Sequence, residues 1–318
     1  MAAEAAPRYV GGQAVLDGVM MRGEHVYAVA VRMPDGAIQV EVHDAPTWGQ
    51  RWGKVPLVRG VVALAESLVL GMRALAWSAQ QSIADDDDIQ LGKGSIALSM
   101  TLALVLFSGL FIVLPAVVTR AAGHVFAHGV AFNVAEGILR LTIFLTYLVL
   151  MGRLADVRRL FQYHGAEHKS IAAYENGVEV TPERAQRFTT QHVRCGTNFL
   201  LTVMVITIAV HAIFGRPSWR VLLLTRITLL PVVAAVSYEL IRYAARHMDK
   251  RPIQILMRPG LALQRLTTRE PDLGQLEVAI AALRAALTAE ELAEVDARTP
   301  EHLGRRIPGA APLAPAPA

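Results

Sequence analysis

Uncharged residues run without interruption from Gly94 to Thr119, between Lys93 and Arg120. These 26 residues exceed the roughly 20 that a helix needs to cross a bilayer, so the pattern predicts a transmembrane helix. A second apolar stretch spans about 130–152 and carries Glu136 and Arg140 in its first half. Standing at i and i+4, the two can pair on one helix face and lower the cost of entering lipid. A third runs from Gly196 to about Phe214, interrupted only by His211, and a fourth from about Val221 to Tyr243. The fourth carries Arg226 and Glu239 near its ends, with Pro231 as the expected kink.

Elsewhere the period changes. His25 to Met33 and Ala37 to His43 read as extended segments around a Pro34-Asp35-Gly36 turn. Leu57 to about Gln80 reads as an amphipathic helix, because Arg59, Glu66 and Arg73 recur every seven residues in an apolar segment. Such a helix suits the membrane interface or the side of a bundle better than a full span. Asp85 to Asp88 is an acidic run read as a solvated linker, and Pro259 to Pro271 reads as loop. Leu276, Ala279, Ile280, Leu283, Leu287 and Leu292 predict an amphipathic helix or helix pair over Leu273 to about Val295. The Pro- and Ala-rich end reads as a disordered tail.

The fold class expected is mainly α: a polytopic membrane protein with about four transmembrane helices, a small N-terminal α+β cytoplasmic unit and a C-terminal cytoplasmic helix. The organisation expected is an N-terminal unit over 1–93 and transmembrane helices 1 and 2 over 94–152. A cytoplasmic loop follows over 153–195, with helices 3 and 4 over 196–243, a C-terminal helical segment over 244–297 and a tail over 298–318. Charge supplies the orientation. The loop near 153–195 holds seven basic residues, Arg153, Arg158, Arg159, Lys169, Arg184, Arg187 and Arg194. The short loops near 120–129 and 215–220 hold about one and two. By the positive-inside rule the central loop and both termini face the cytoplasm.

Composition supports this picture. The chain is 53% hydrophobic and only 18% charged, with a mean hydropathy of +0.37, too apolar for an ordinary soluble enzyme. The net charge of +4 comes from basic residues bordering the apolar spans, so the partner expected is the lipid bilayer and not nucleic acid. Cys195 is the only cysteine, which excludes an intramolecular disulfide. The first residues show no signal-peptide pattern. No internal repeat points to an inverted-repeat transporter.

The candidate chemistry lies in His164-Gly-Ala-Glu167-His168. As H-x-x-E-H on a helix, the two histidines share a face and can converge on a metal, while Glu167 can act as general base. A catalytic zinc takes three protein ligands and a water, so the motif is incomplete by itself. His192 and Cys195, at the far end of the same loop, carry the donor types that complete the shell. Cys195 also fits a nucleophile beside a histidine, although a lone cysteine at a helix start is most often a small apolar residue. Glu175 and Glu239 are further candidate ligands, with Arg242 a partner for Glu239; Lys169 and Arg194 are candidates for stabilising negative charge. Gly11 to Gly23 is punctuated by glycine but matches neither a P-loop nor G-x-G-x-x-G, so it reads as tight turns rather than a nucleotide site.

A set of segments occurs in a fixed order: Gly11-Gly-Gln-Ala-Val, Gly18-Val-Met-Met-Arg22, Pro56-Leu-Val-Arg-Gly60, Phe161 to Lys169, Arg194-Cys-Gly-Thr-Asn198, Leu230-Pro-Val-Val, Ser237-Tyr-Glu239, Pro259-Gly-Leu, Leu266-Thr-Thr and Glu277-Val-Ala-Ile280. Over roughly residues 8 to 285 the chain resembles the YqhQ-like family of bacterial membrane proteins, a domain of unknown function. Asp17 stands where the resemblance leads one to expect glutamate; the charge is kept and the reach shortened. The resemblance implies a multi-pass protein of the bacterial inner membrane and a metal-dependent enzyme, without a substrate or reaction. Together with the motif it leads to a cytoplasm-facing divalent-metal site, zinc by preference, performing hydrolysis. A membrane scaffold or assembly factor with a structural histidine cluster is the second expectation. A small oligomeric transporter, suggested by Glu136, Arg140, Arg226 and Glu239, is the third. The sequence names no protein partner, and a homo-oligomer is allowed.

Overall fold

The computed structural model describes residues 10–46, 48–82, 93–122, 129–215 and 218–298. The Asp85–Asp88 run and all of the expected tail beyond 298 lie outside the described residues.

The first described residues form an antiparallel meander of four strands, β1 (Gly11–Val15), β2 (Gly18–Arg22), β3 (Val26–Arg32) and β4 (Ile38–Asp44), in the order β1-β2-β3-β4. The segment read as tight turns is thus the first hairpin of this sheet, closed by Leu16 and Asp17, with Asp17 at φ 51°. The second turn falls on Pro34-Asp35-Gly36, as its residues predict, and Gly36 supplies φ 88° there. Side chains alternate across the sheet. Val19, Met21, Ala28 and Ala30 form one apolar face, and Met20, Val29 and Val31 belong to the other.

Both faces are covered. A short helix, α1 (Trp48–Trp52), leads into α2 (Val58–Ser82), whose Leu70 and Ala74 pack on the second face. The first face is closed by two helices from distant parts of the chain, α6 (Ala155–Glu175) and α12 (Leu273–Ala286). Ala166, Ile171 and Ala173 of α6 join Leu276, Ala279 and Leu283 of α12 in this core. An Asp272–Gln275 capping box starts α12. Arg32 ties it to β3 through the Gly274 carbonyl at 2.7 Å and Glu277 at 2.9 Å. A further helix, α13 (Ala289–Asp296), adds Val295 to the same cluster.

Between these elements lie the apolar helices. The uncharged stretch forms α3 (Lys93–Ser108), a π-helical turn over Gly109–Val113 and α4 (Leu114–Ala121). The second stretch is α5 (Gly129–Met151) and the third α8 (Gly196–Ala212), while a short α7 (Pro182–Ala185) lies in the intervening loop. The fourth divides into α9 (Trp219–Thr228) and α10 (Leu230–Arg246), bent by 43° where Pro231 enters. By length and composition α2, residues Ala97–Ala121 and α5 could each cross a membrane, and the bent pair makes a fourth; α8 is apolar but shorter. Leu102, Leu104 and Leu106 of α3 are more than half exposed, the surface a bilayer would cover.

The expectation for α2 changes in part. It is long and apolar enough to span, yet its charges are engaged with neighbouring elements. Arg59 pairs with Glu239 of α10, and buried Glu66 accepts from Arg22 of β2 at 2.8 Å and from the Gly49 N–H at 2.6 Å. It bridges the bundle and the sheet. Glu239 is therefore partnered by Arg59 rather than by Arg242 one turn along. The loop read over Pro259–Pro271 is also revised, because α11 (Arg251–Thr267) contains Pro259. Proline forfeits one helical hydrogen bond, while Met257, Gly260, Leu263 and Gln264 of α11 are buried, with Gly260 set against Asn198 of α8.

The Glu136–Arg140 pair forms at 2.6 Å, and Arg226 of α9 joins the same carboxylate while also donating to Asn133. Glu136 is fully buried. Replacing a partner of a buried ion pair typically costs about 3–5 kcal/mol. The Glu136→Leu variant should therefore unfold at a clearly lower temperature in detergent, read by tryptophan fluorescence. An unchanged midpoint would show that this carboxylate does not hold α5 and α9 together.

Candidate metal centre

Helix α6 follows three residues after α5 and starts with Asp156 in its first turn, where a carboxylate complements the helix dipole. His164 and His168 project from consecutive turns, their ring centroids 4.5 Å apart. Gly165 between them is required by packing. A Cβ there would lie 2.1 Å from the Arg269 carbonyl, so only glycine lets the chain leaving α11 run against α6. That chain donates from Arg269 N–H to the Phe161 carbonyl at 2.9 Å. The same approach places the Thr267 carbonyl 2.8 Å from His164 Nδ1.

The Thr190 carbonyl holds His168 Nδ1 in the same way, at 2.5 Å. A carbonyl only accepts, so each ring in its neutral form carries its proton on Nδ1 and presents an Nε2 lone pair. Cys195 arrives from the other end of the loop as the N-cap of α8. Its Sγ lies 3.3 Å from His164 Nε2 and 3.2 Å from Thr197 Oγ1. One donor atom from each of His164, His168 and Cys195 falls within 4.8 Å of the others. Zinc bonds of about 2.0–2.3 Å at tetrahedral angles set ligand atoms roughly 3.3–3.7 Å apart. The 3.3 Å between Cys195 Sγ and His164 Nε2 falls in that range, the 4.8 Å limit on the group is looser, and the two imidazoles and one sulfur could hold a metal.

The electrostatics agree with a shared donor site. Burial alone would raise the Cys195 thiol, but the rings of His168 and His164 outweigh it and hold the thiol well below its ordinary range. Burial would lower His164, yet the sulfur's charge and hydrogen bond, with Glu167 and the Thr267 carbonyl, push it up to about 9. Without an ion, sulfur and ring behave as a coupled thiolate–imidazolium pair. Burial pushes the Glu167 carboxyl up, against the pull of His168 and His164.

Glu167 lies under the sheet. A Cβ on Gly12 of β1 would sit 2.7 Å from Glu167 Cγ and 2.8 Å from its Oε1, so this glycine makes the room for the carboxylate. The remaining sequence candidates are divided among neighbours. His192 is not in the three-residue group; its Nε2 is 3.2 Å from Glu175 Oε2. Glu175, fully buried, also pairs with Arg194. Lys169 Nζ donates to the Gln186 carbonyl at 2.8 Å and pairs with Glu270 at 2.8 Å. Glu239 lies at the Arg59 contact described above.

Several supporting groups had no reading from sequence. Gln264 of α11 accepts from the His192 N–H and donates to the His192 carbonyl, both at 2.8 Å, clamping the segment that carries Thr190 and Cys195. Thr190 and Thr267 act through main-chain carbonyls, which every residue possesses. For Gly12 the only local signal is the Gly11-Gly12 doublet, which by itself predicts a tight turn.

Comparison with known proteins gives a family. The family described as "Protein of unknown function (DUF1385)" matches residues 55–289. The "Uncharacterized protein YqhQ" of Bacillus subtilis (strain 168) is 31% identical over 312 residues, covering 93% of this chain and 97% of that protein. No solved structure matches the chain. The family match thus begins just before α2, and the relative extends the likeness across nearly the whole chain, so the protein belongs to the YqhQ-like DUF1385 family of unknown function.

Proposed function

We propose that the protein is a membrane-embedded, metal-dependent hydrolase, with His164, His168 and Cys195 holding a divalent ion, zinc by preference, and Glu167 acting as general base. The observation that carries this reading is the convergence of two carbonyl-held imidazoles and one sulfur beside a buried carboxylate. A bound divalent ion would supply Lewis-acid polarisation of a carbonyl and acidify water. The protein's own residues do the rest. The Thr267 and Thr190 carbonyls keep both Nε2 atoms aimed inward, Cys195 is fixed by its N-cap position, and Glu167 waits in a poorly solvated niche suited to accepting a proton. His192 is placed to orient Glu175 and Arg194 behind the site, and Lys169 to anchor α6 to the loop. Positive charge concentrated over 153–195 supports an orientation with the centre and both termini on the cytoplasmic side of a bacterial inner membrane.

Two measurements check this. Elemental analysis of purified protein should find about one equivalent of a divalent metal, lost by at least tenfold in His164→Ala/His168→Ala; equal, negligible metal in both would sink the proposal. In the second, Glu167→Gln should retain the metal while hydrolysis of a panel of fluorogenic amides and esters falls by about 10²-fold or more, the usual worth of a positioned base. Full metal with rates unmoved by that change would overturn Glu167 as the base, and full metal without hydrolysis by either protein would favour the membrane scaffold.

A further inference from the structure

The strand that lies over Glu167, β1, is also the edge of the sheet among the described residues. Its free side can be identified from the hydrogen bonds. The Gly23 N–H donates to the Val26 carbonyl at 2.9 Å, and the Arg32 N–H to the Asp17 carbonyl at 2.8 Å. In an antiparallel sheet the residues bonded to one neighbour alternate with those bonded to the other. The odd-numbered residues of β2 therefore face β3, and Gly18, Met20 and Arg22 face β1. Their partners are Val15, Gln13 and Gly11. Gly12 and Ala14 are left with N–H and C=O groups pointing away from the sheet, and among the described residues no main-chain bond satisfies them.

The position of this edge matters more than its existence. Gly11 and Gly12 are exposed, and nothing stands within 4 Å of where a Gly11 Cβ would be. Gly12 lies directly over Glu167. The opposite edge differs, since β4 carries Glu41, His43 and Asp44, the kind of charge that guards a strand against pairing. On β1 the sequence is Gly-Gly-Gln-Ala-Val, with no charge and no bulky side chain until the turn. Outward N–H and C=O groups in strand register are complementary to one chemistry above others, an extended peptide backbone.

We propose that the substrate is a polypeptide which adds as a strand to the free edge of β1, bringing one of its peptide bonds over His164, His168 and Cys195. The inference rests on the hydrolytic reading above and makes the protein a peptidase. Bonds to Gly12 and Ala14 set the register, and side chains on alternate positions of the substrate turn toward α6. In the reaction Glu167 takes a proton from water as the new C–O bond forms. It delivers that proton to the leaving nitrogen as the C–N bond breaks, so water and an amide yield a carboxylic acid and an amine.

The test uses the full-length Glu167→Gln protein in detergent, which should bind without cleaving. The probe is a fluorescein-labelled octapeptide of alternating valine and threonine, read by anisotropy. A counterpart N-methylated at every second residue loses its hydrogen-bond donors along one edge while keeping its side chains. Saturable binding of the first peptide, weakened at least tenfold by N-methylation, is the expected result. Ala14→Pro, added to Glu167→Gln, should weaken it similarly, because proline removes an outward N–H that the sheet does not use. Equal affinity for the two peptides, or no binding of either, would overturn the proposal. The His164→Ala/His168→Ala protein should still bind the peptide. Strand binding without metal or cleavage would therefore count against the hydrolytic reading, whereas cleavage of small amides without strand binding would count against the peptide edge alone.

Discussion

Three donor groups gathered in one small volume, His168 and Cys195 buried and His164 half-buried, are the constraint around which the rest is arranged. Each lone pair taken from water costs free energy unless something replaces the lost hydrogen bonds. Here part of the replacement is internal. The Thr190 and Thr267 carbonyls take the Nδ1 protons, and Thr197 lies against the sulfur. These partners come from three segments, the chain before Cys195, the end of α11 and the start of α8. Aligning all three needs the close approach at Gly165, the Gln264 clamp on His192 and the packing of Gly260 on Asn198. A buried cluster of this kind fixes its surroundings because a half-satisfied network is worse than an apolar core.

The sequence made the membrane helices and the motif legible for physical reasons. A bilayer sets a length, and Gly94 to Thr119 meets it without a charge; a helix sets a period, and H-x-x-E-H obeys it. The i,i+4 spacing of Glu136 and Arg140 announced their pairing, since it is local. Arg226 joining the same carboxylate was not announced, because no local rule brings α9 to α5. The same limit hid Arg59 as the partner of Glu239. Pro259 misled in the other direction: proline is a strong local signal for a break, and tertiary burial of its neighbours prevailed.

The sheet shows the limit most clearly. Alternation located β3 and β4, yet β1 and β2 read as turns because glycine dominates Gly11 to Gly23. Their apolar faces close only through α6 and α12, which the chain reaches after several membrane helices. Val19 and Met21 find Leu276 and Leu283 through folding of the whole chain, so no window along the sequence contains this core. The candidate site inherits the problem. His164, His168 and Cys195 stood out as residue types, whereas Gly12, Gln264 and the two threonine carbonyls gain meaning only from contact.

Cys195 caps an apolar helix directly, and α6 starts three residues beyond α5. The centre is thus held on a very short leash: from Met151 to His164 the chain can reach at most about 30 Å, counting the helical part at 1.5 Å per residue. A centre tethered in this way searches a layer rather than a volume. Molecules anchored in the same bilayer meet it at a two-dimensional density, which a freely diffusing molecule at ordinary concentration does not match. For the hydrolase proposed above, selectivity would therefore be partly geographic: what stays in the membrane stays within range, and what leaves it escapes.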